Sequence, residues 1–417
     1  MNVYAVIILS TLLLDFILSL YAKFLNLKNL SGELPKEFQG VYDAAAYRKS
    51  QDYTRVNTRF SLITASISLV ATLIFWFAGG FNFLDLIVRN WHLATIWSGL
   101  IYIAILVLLR ALLSLPFSIY ATFVIEERFG FNKTTLKTFA TDLLKSLLLA
   151  ILIGGPLLTG ILAFFQYAGN IAWLYCWLVT TVVTLVIQFI APTWIMPLFN
   201  KFKPIEEGDL KQQILDYAAA VKYSLKGVFI IDGSRRSSKS NAFFTGFGKN
   251  KRIALYDTLL AKHPVAEIVA ILAHEIGHYK KKHILLGMMI SILHTGIMFF
   301  LLSIFISHAG LFVAFYMNNM SIYAGLIFFG MLYSPIELLL SIFLNLFSRR
   351  NEFQADRFAA ETIANPEIFI SALKTLSVNN LSNLRPHPFY VFLNYSHPPV
   401  IKRILAIRNR PLKLAEA

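Results

Sequence analysis

The stretch His274-Glu275-Ile276-Gly277-His278 decides the fold of the catalytic part of this chain, because its two histidines act together only on a helix. Side chains four residues apart project from the same helical face, so both imidazoles can reach one metal ion. Pro264 suits a first helical position, and apolar residues then recur at helical spacing: Ile268, Ile271 and Leu272. The motif predicts a helix that carries two zinc ligands and a general base, Glu275.

Outside this motif, the composition is that of a membrane protein. The 417-residue chain is 57% hydrophobic and has a mean hydropathy of +0.61. Seven apolar runs are long enough to cross a hydrocarbon core of about 30 Å. These predicted spans are Val3–Leu25, Phe60–Ala78, Ala94–Ser118, Ser146–Ala168, Ile171–Pro197, Ile284–Ser307 and Ile322–Phe347.

Lysine and arginine predict how the spans are oriented. They are concentrated in four segments, 23–59, 119–145, 196–283 and 348–417, whereas only Arg89 lies in the turns after spans two, four and six. We therefore expect these four segments and the C-terminus to be cytoplasmic and the N-terminus to be outside, with the first span a retained anchor. This bias and anionic lipid headgroups explain the net charge of +15 without a nucleic-acid partner.

Some ionisable side chains lie inside the predicted spans, namely Asp15, Arg110, His294 and Glu337, and so does the thiol of Cys176. Because Cys176 is the only cysteine, an internal disulfide and a thiolate zinc cluster are excluded. The four ionisable residues are costly in lipid, so they indicate either a polar internal space or local pairing and snorkelling.

The chain is predicted to have four parts. Residues 1–197 hold spans one to five, 198–283 form a cytoplasmic α/β segment that ends in the motif helix, 284–347 hold spans six and seven, and 348–417 form a C-terminal catalytic segment. Periodicity and composition predict helices at Asp209–Val221, Asn351–Ile363 and Pro366–Leu376, and strands at Val228–Asp232, Asn241–Phe244 and Ile253–Tyr256. Residues 233–240 are interpreted as a turn-like connector, of which a solvated hairpin tip is the simplest form.

A catalytic zinc site needs a third protein ligand and an open position for water. A metzincin would supply this ligand at position 284 after a glycine at 281, but the chain has Ile284 and Lys281. Glu352 is the best distant candidate, because it follows the last span on the side of the motif helix. Asp356, one turn later, is positioned to orient a ligand histidine. The alternative is that both carboxylates lie on a solvated helix face.

Three further elements are candidates for contact with a substrate. His397 and Arg403 are placed to stabilise the oxyanion of a tetrahedral intermediate, although a histidine beside prolines is more often structural. The strand that contains Asn241, Ala242 and Phe243 could offer a free edge to an extended peptide, or it could be internal.

Assembled in this way, the chain resembles the type I CAAX prenyl endopeptidase family, integral-membrane zinc metalloproteases that cut prenylated C-termini. The resemblance is carried by Tyr53, Phe123–Lys133, Pro197–Phe202, Asp232–Ala242, the HExxH motif, Ser348–Asp356 and Tyr395–Pro398. It implies a mainly α, polytopic fold with seven transmembrane helices around a water-filled chamber. It also implies that one zinc ion per chain is held by His274, His278 and Glu352, with Glu275 as base.

The same resemblance implies that Asp356 supports a zinc ligand, that His397 and Arg403 face the zinc and the substrate carbonyl, and that Asn241 belongs to the substrate-facing strand. Only 14 residues, His308–Ser321, separate spans six and seven, where eukaryotic members have a longer insertion. This difference predicts a bacterial member in the inner membrane; the alternative location is the endoplasmic reticulum membrane of a eukaryote.

The predicted function is zinc-dependent cleavage near the C-terminus of peptides at the membrane, prenylated or similar, with membrane lipids as further partners. Two alternatives stay open: a broad-specificity quality-control protease that uses the same site, and a seven-span transporter or receptor that binds zinc structurally. A site-2-type protease fits worse, because its Asp-Gly ligand motif should follow HExxH, whereas Asp232-Gly233 precedes it.

Overall fold

The computed structural model describes residues 1–245 and 252–409 and is mainly helical. Within these described residues, six helices are long and apolar enough to cross a membrane, and a bent pair of helices makes a seventh span when its two helices are taken as one. Their bounds are Val3–Lys28, Ala44–Phe77, Thr95–Glu126, Leu136–Tyr167, Gly169–Phe199, His283–Phe305, and Ile322–Leu332 followed by Ser334–Thr362. The predicted fold class, a mainly helical polytopic membrane protein with a small sheet region, is confirmed.

The seventh span differs from its predicted form in two ways. Its two helices meet at an angle of 50° on either side of Tyr333. The second helix begins at Ser334, where Pro335 is tolerated because a first-turn residue needs no backbone N–H partner. That helix does not stop at Phe347 but continues to Thr362, so the predicted helix Asn351–Ile363 is its last part. One rigid element therefore runs from the apolar span to Glu352.

The spans pack loosely against one another. In each of the six continuous spans, only 6% to 11% of the most apolar stretch is buried. The dense apolar core lies instead at the end opposite the catalytic segments, where Trp76, Phe81, Phe315 and Phe328 are buried together. Loose packing along the spans leaves polar side chains accessible: His294 Nε2 lies 3.2 Å from Glu337 Oε1 across spans six and seven, and Asp15 and Arg110 are exposed.

Shorter helices complete the chain. They are Gly80–Arg89, Asp209–Ala220, Asp257–Leu260, Val265–Lys280, Ala309–Val313, Pro366–Asn379, Pro388–Asn394 and Val400–Arg408. The predicted helices at 209–221 and 366–376 are confirmed to within a few residues, because each begins at a clear signal: an acidic first turn at Asp209, and the Asn365 cap with Pro366 at the first position.

Among the residues that the structure describes, four strands form one sheet: β1 Phe202–Pro204, β2 Gly227–Ile231, β3 Ala242–Thr245 and β4 Arg252–Tyr256, in the order β1-β2-β4-β3. The three predicted strands are confirmed, whereas β1 is too short for an alternation pattern and was missed. β2 and β4 are parallel, and β3 pairs antiparallel with β4 at the edge of the sheet. Since β2 and β3 are not neighbours, the interpretation of residues 233–240 as a hairpin tip is wrong.

Candidate active site

The HExxH motif lies on helix Val265–Lys280, which packs directly on the long helix Ser334–Thr362. Gly277 permits this contact: a Cβ atom there would lie 3.1 Å from the Cα and carbonyl oxygen of Ala355, and 3.2 Å from Phe358 Cβ. Such distances are tighter than ordinary van der Waals contacts. The glycine between the two motif histidines therefore allows the second helix to bring Glu352, three residues before Ala355, against the motif.

His274, His278 and Glu352 form a group in which three ligand atoms lie within 4.8 Å of one another. His274 Nε2 is 3.2 Å from His278 Nε2 and 3.5 Å from Glu352 Oε2, and His278 Nε2 is 3.2 Å from Glu352 Oε1. A tetrahedral ion with bonds of about 2.0–2.1 Å separates its ligand atoms by about 3.3 Å. The buried Glu352 Oε2 also has no hydrogen-bond partner among the described residues. The three residues therefore fit a metal ion.

Asp356 orients His274 toward that position. Its Oδ1 lies 2.9 Å from His274 Nδ1, and Arg403 donates to both of its oxygens, with 2.8 Å between Nε and Oδ2. A proton on Nδ1 leaves the lone pair of Nε2 free for a metal. Burial lowers the pKa of His274, but hydrogen bonds to Asp356 and Glu352 raise it to about 9. The site thus attracts positive charge.

His278 has an equivalent arrangement, which the sequence interpretation missed. Its Nδ1 lies 3.1 Å from His283 Nδ1, and His283 Nε2 lies 3.0 Å from Gln354 Oε1. A carbonyl oxygen only accepts, so His283 Nε2 carries the proton and its Nδ1 accepts from His278. His278 Nε2 is then unprotonated and can bind a metal. His283 follows the polar run Lys280-Lys281-Lys282, where nothing in the sequence indicates a role in the site. Its role becomes visible only when the two helices pack together.

His397 lies beside Glu352 at the exposed side of the group. The His397 side chain is 64% exposed, with Nε2 3.3 Å from Glu352 Oε1 and Nδ1 3.0 Å from Ser396 Oγ. Arg403 is buried: it uses Nε and Nη2 on Asp356, and Nη1 lies 3.6 Å from Glu352 Oε2. Glu275, the residue after His274, is half-buried and close enough to Arg403 for their charges to interact. The structure thus brings Asp356, His397 and Arg403 to the three ligand residues.

A cavity of about 560 Å³ lies between the start of strand β3 and residues that contact the group. Asn241, His397 and Arg403 all line it. Asn241 is exposed and accepts a hydrogen bond from its own neighbour, Ala242 N. Phe243 belongs to strand β3, but its side chain lies outside the described part of the structure. An extended chain bound at the start of β3 would therefore pass beside His397 and Arg403, both of which lie near Glu352.

Comparisons with known proteins agree with this geometry. Residues 23–201 match the CAAX prenyl protease N-terminal model, described as five membrane helices, and residues 204–411 match peptidase family M48. CAAX prenyl protease 1 of Saccharomyces cerevisiae is 35% identical over 90% of this chain and 88% of its own length. The chain belongs to the CAAX prenyl proteases of peptidase family M48. Its homologue in Arabidopsis thaliana is 35% identical over 95% of this chain and 96% of its own length.

The fold of this M48 peptidase is shared with a solved relative. The crystal structure of S. mikatae Ste24p superposes with a TM-score of 0.92 at 32% identity, covering 98% of this chain and 99% of that one. The protein is accordingly a multi-pass integral membrane metalloendopeptidase, which acts on peptide or protein substrates with a metal cofactor. The predictions of the family, the enzyme class and the membrane location are confirmed, and the transporter or receptor alternative is set aside.

Proposed function

We propose that this protein uses zinc to cleave membrane-associated peptides near their C-termini, with prenylated CAAX-type proteins as its substrate class. The observation that carries the proposal is the tetrahedral spacing of His274, His278 and Glu352. Glu275, the residue after His274, is not one of these three ligands and serves as the base in this proposal. Relatives named as CAAX prenyl proteases, 32% to 36% identical over most of the chain, support the substrate class.

Zinc is the metal that this set of ligands favours. Two histidines and one glutamate are the protein ligands of catalytic zinc sites that keep a fourth position open. When bound, the ion would polarise the scissile carbonyl and lower the pKa of a water molecule to about 7. The contacts of Asp356 with His274, and of His283 with His278, hold both histidines in the tautomer that can bind the ion.

The remaining residues have separate roles in this proposal. Glu275 takes the proton of the attacking water and passes it to the leaving amine. Exposed His397 donates its Nε2 proton to the oxyanion, whereas Arg403, which is engaged by Asp356, keeps the carboxylates in place. Asn241 and the edge strand β3 that follows it, with Ala242 and Phe243, bind the peptide through main-chain hydrogen bonds.

The loosely packed spans fit a substrate that arrives from the membrane. Because at most 11% of the apolar stretch of each continuous span is buried, helix faces remain available both to lipid and to an internal space. The Glu337 side chain beside His294 on spans six and seven is 51% exposed, which supports a hydrated interior, since a carboxylate that faces lipid is costly. A chamber of this kind would hold the peptide while its prenyl chain stays in an apolar environment.

The test is cleavage of matched farnesylated and unmodified peptides by the purified protein, with and without chelator. Glu275→Gln should abolish cleavage and retain bound zinc, whereas Glu352→Gln should lose zinc. Cleavage of the farnesylated peptide by Glu275→Gln would overturn the mechanism. Equal cleavage of both peptides by the wild type would overturn the substrate class and favour the broad-specificity quality-control protease.

A further inference from the structure

The connector Gly233–Ser240 determines where the edge strand β3 begins. It leaves β2 after Ile231 and ends two residues before Ala242, the first residue of β3. Its last residue, Ser240, is buried: the Ser240 N–H donates to Asn380 Oδ1 at 3.0 Å, and Asn380 Nδ2 donates to the Ser240 carbonyl at 3.2 Å. The backbone just before the strand is therefore bound by Asn380 of the C-terminal catalytic segment.

One residue earlier, Lys239 contacts the membrane helices instead. Its Nζ lies 2.8 Å from Glu126 Oε2, at the end of the third span, and 2.7 Å from the Tyr53 hydroxyl, on the second span helix. Tyr53 donates its own proton to the other Glu126 oxygen. The ammonium group also lies 4.5 Å from the ring centre of Phe131. Lysine, carboxylate and phenol thus form one closed set of contacts.

The rest of the connector is joined to the loop that follows the third span. Ser237 forms an isolated bridge with Asn132, and Ser238 N donates to the Phe131 carbonyl at 3.0 Å. Arg236 binds Asp142 with two hydrogen bonds of 2.7 and 2.9 Å. Each of these contacts joins a residue of the first matched family model, residues 23–201, to a residue of the second, residues 204–411.

We propose that Lys239, Glu126 and Tyr53 are positioning residues for β3, so that the membrane helices set the place of the peptide-binding edge relative to the metal ligands. This inference rests on the proposed role of β3 in binding substrate. A four-residue edge strand has a single ladder neighbour, β4, and so its position depends on what holds its ends. Lys239 itself lies only two residues before Asn241, so the cluster is close to the start of β3.

Loss of this cluster should change the kinetics differently from loss of a contact that merely stabilises the fold. Main-chain hydrogen bonds along β3 bind the ground state and the transition state alike, so a displaced strand raises KM and leaves kcat nearly unchanged. A general loss of stability would instead reduce the amount of active enzyme, which lowers the apparent kcat at constant KM.

The experiment uses the full-length protein in detergent and three variants with a matched control. Lys239→Met removes the charge, Glu126→Gln removes its partner, and Lys239→Arg retains the charge. Arg235→Met is the control, because Arg235 is an exposed connector residue with the same charge, four positions away. Kinetics on a farnesylated peptide, zinc content, and hydrogen–deuterium exchange of the β3 amides without substrate are measured for each protein.

We expect Lys239→Met and Glu126→Gln to raise KM about tenfold, with kcat within about twofold of the wild type and full zinc content. Exchange of the β3 amides should accelerate in both variants, while Lys239→Arg and Arg235→Met should resemble the wild type. Unchanged exchange of β3 in Lys239→Met overturns the proposal whatever the activity. If exchange of β3 accelerates in the two variants but the wild type cleaves no peptide, the positioning stands and the proposed function is refuted.

Discussion

Two arginines on helix Val400–Arg408 make similar bidentate pairs, and the loss of each pair should have a very different cost. Arg403 binds Asp356 with side chains that are 12% and 1% exposed, whereas Arg408 binds Glu367 with side chains that are 41% and 57% exposed. Asp356→Ala leaves a buried guanidinium without its main partner, which costs about 3–5 kcal/mol. Because Arg403 Nη1 stays 3.6 Å from Glu352, we expect the lower end, about 3 kcal/mol.

Glu367→Ala is the matched control, and it should cost about 0–1 kcal/mol, because water and salt screen an exposed pair. The free energy of unfolding is measured in detergent by denaturant titration, with tryptophan fluorescence as the signal. All proteins are kept in excess chelator, since loss of a bound metal would by itself lower stability by mass action. Equal costs for the two substitutions would show that Arg403 and Asp356 are solvated, and would refute their assignment as a buried pair that supports His274.

Two more predictions concern His283 and Glu267, which both lie near the HExxH motif. His283→Ala should lower zinc affinity about ten- to a hundredfold, because His278 loses the acceptor that fixes its tautomer, while His263→Ala should not; competition with a chelator measures both. Burial raises the pKa of Glu267, but hydrogen bonds from His263 and Ser371 outweigh it and lower the pKa. Its stabilising contribution is therefore present above its unfolded pKa of about 4.3 and is lost as pH falls further. Below about pH 4 the wild type should lose stability more steeply than Glu267→Gln, as an acid titration of unfolding would show.

Local patterns were sufficient for the elements whose signals lie within one turn or one span. The HExxH helix, the apolar runs and the helix that begins at Pro366 each depend on neighbouring residues, and each was found. The seventh span was predicted to end at Phe347, because hydropathy falls there, yet the backbone hydrogen bonds of the helix continue to Thr362. Hydropathy reports the surroundings of a helix and not where it ends.

Contacts between distant segments could not be derived in the same way. Glu352 was predicted as a ligand because it lies on the same side of the membrane as the motif helix and because the chain resembles a known family. The physical cause of its approach is the close packing of Gly277 on Ala355. Neither His283 nor the pairing of Lys239 with Glu126 has a local signature, because each depends on residues more than seventy positions away.

Three features follow from the order of residues alone: two histidines and a glutamate share one helical turn, seven apolar runs accompany them, and the chain resembles one family of membrane proteases. Periodicity of 3.6 residues and span length are properties of consecutive residues, so they can be read without the fold. The residues that hold the metal ligands in their tautomers, and those that hold the start of strand β3, are known only from the folded structure. Those contacts are made between side chains that come together only when separate helices pack.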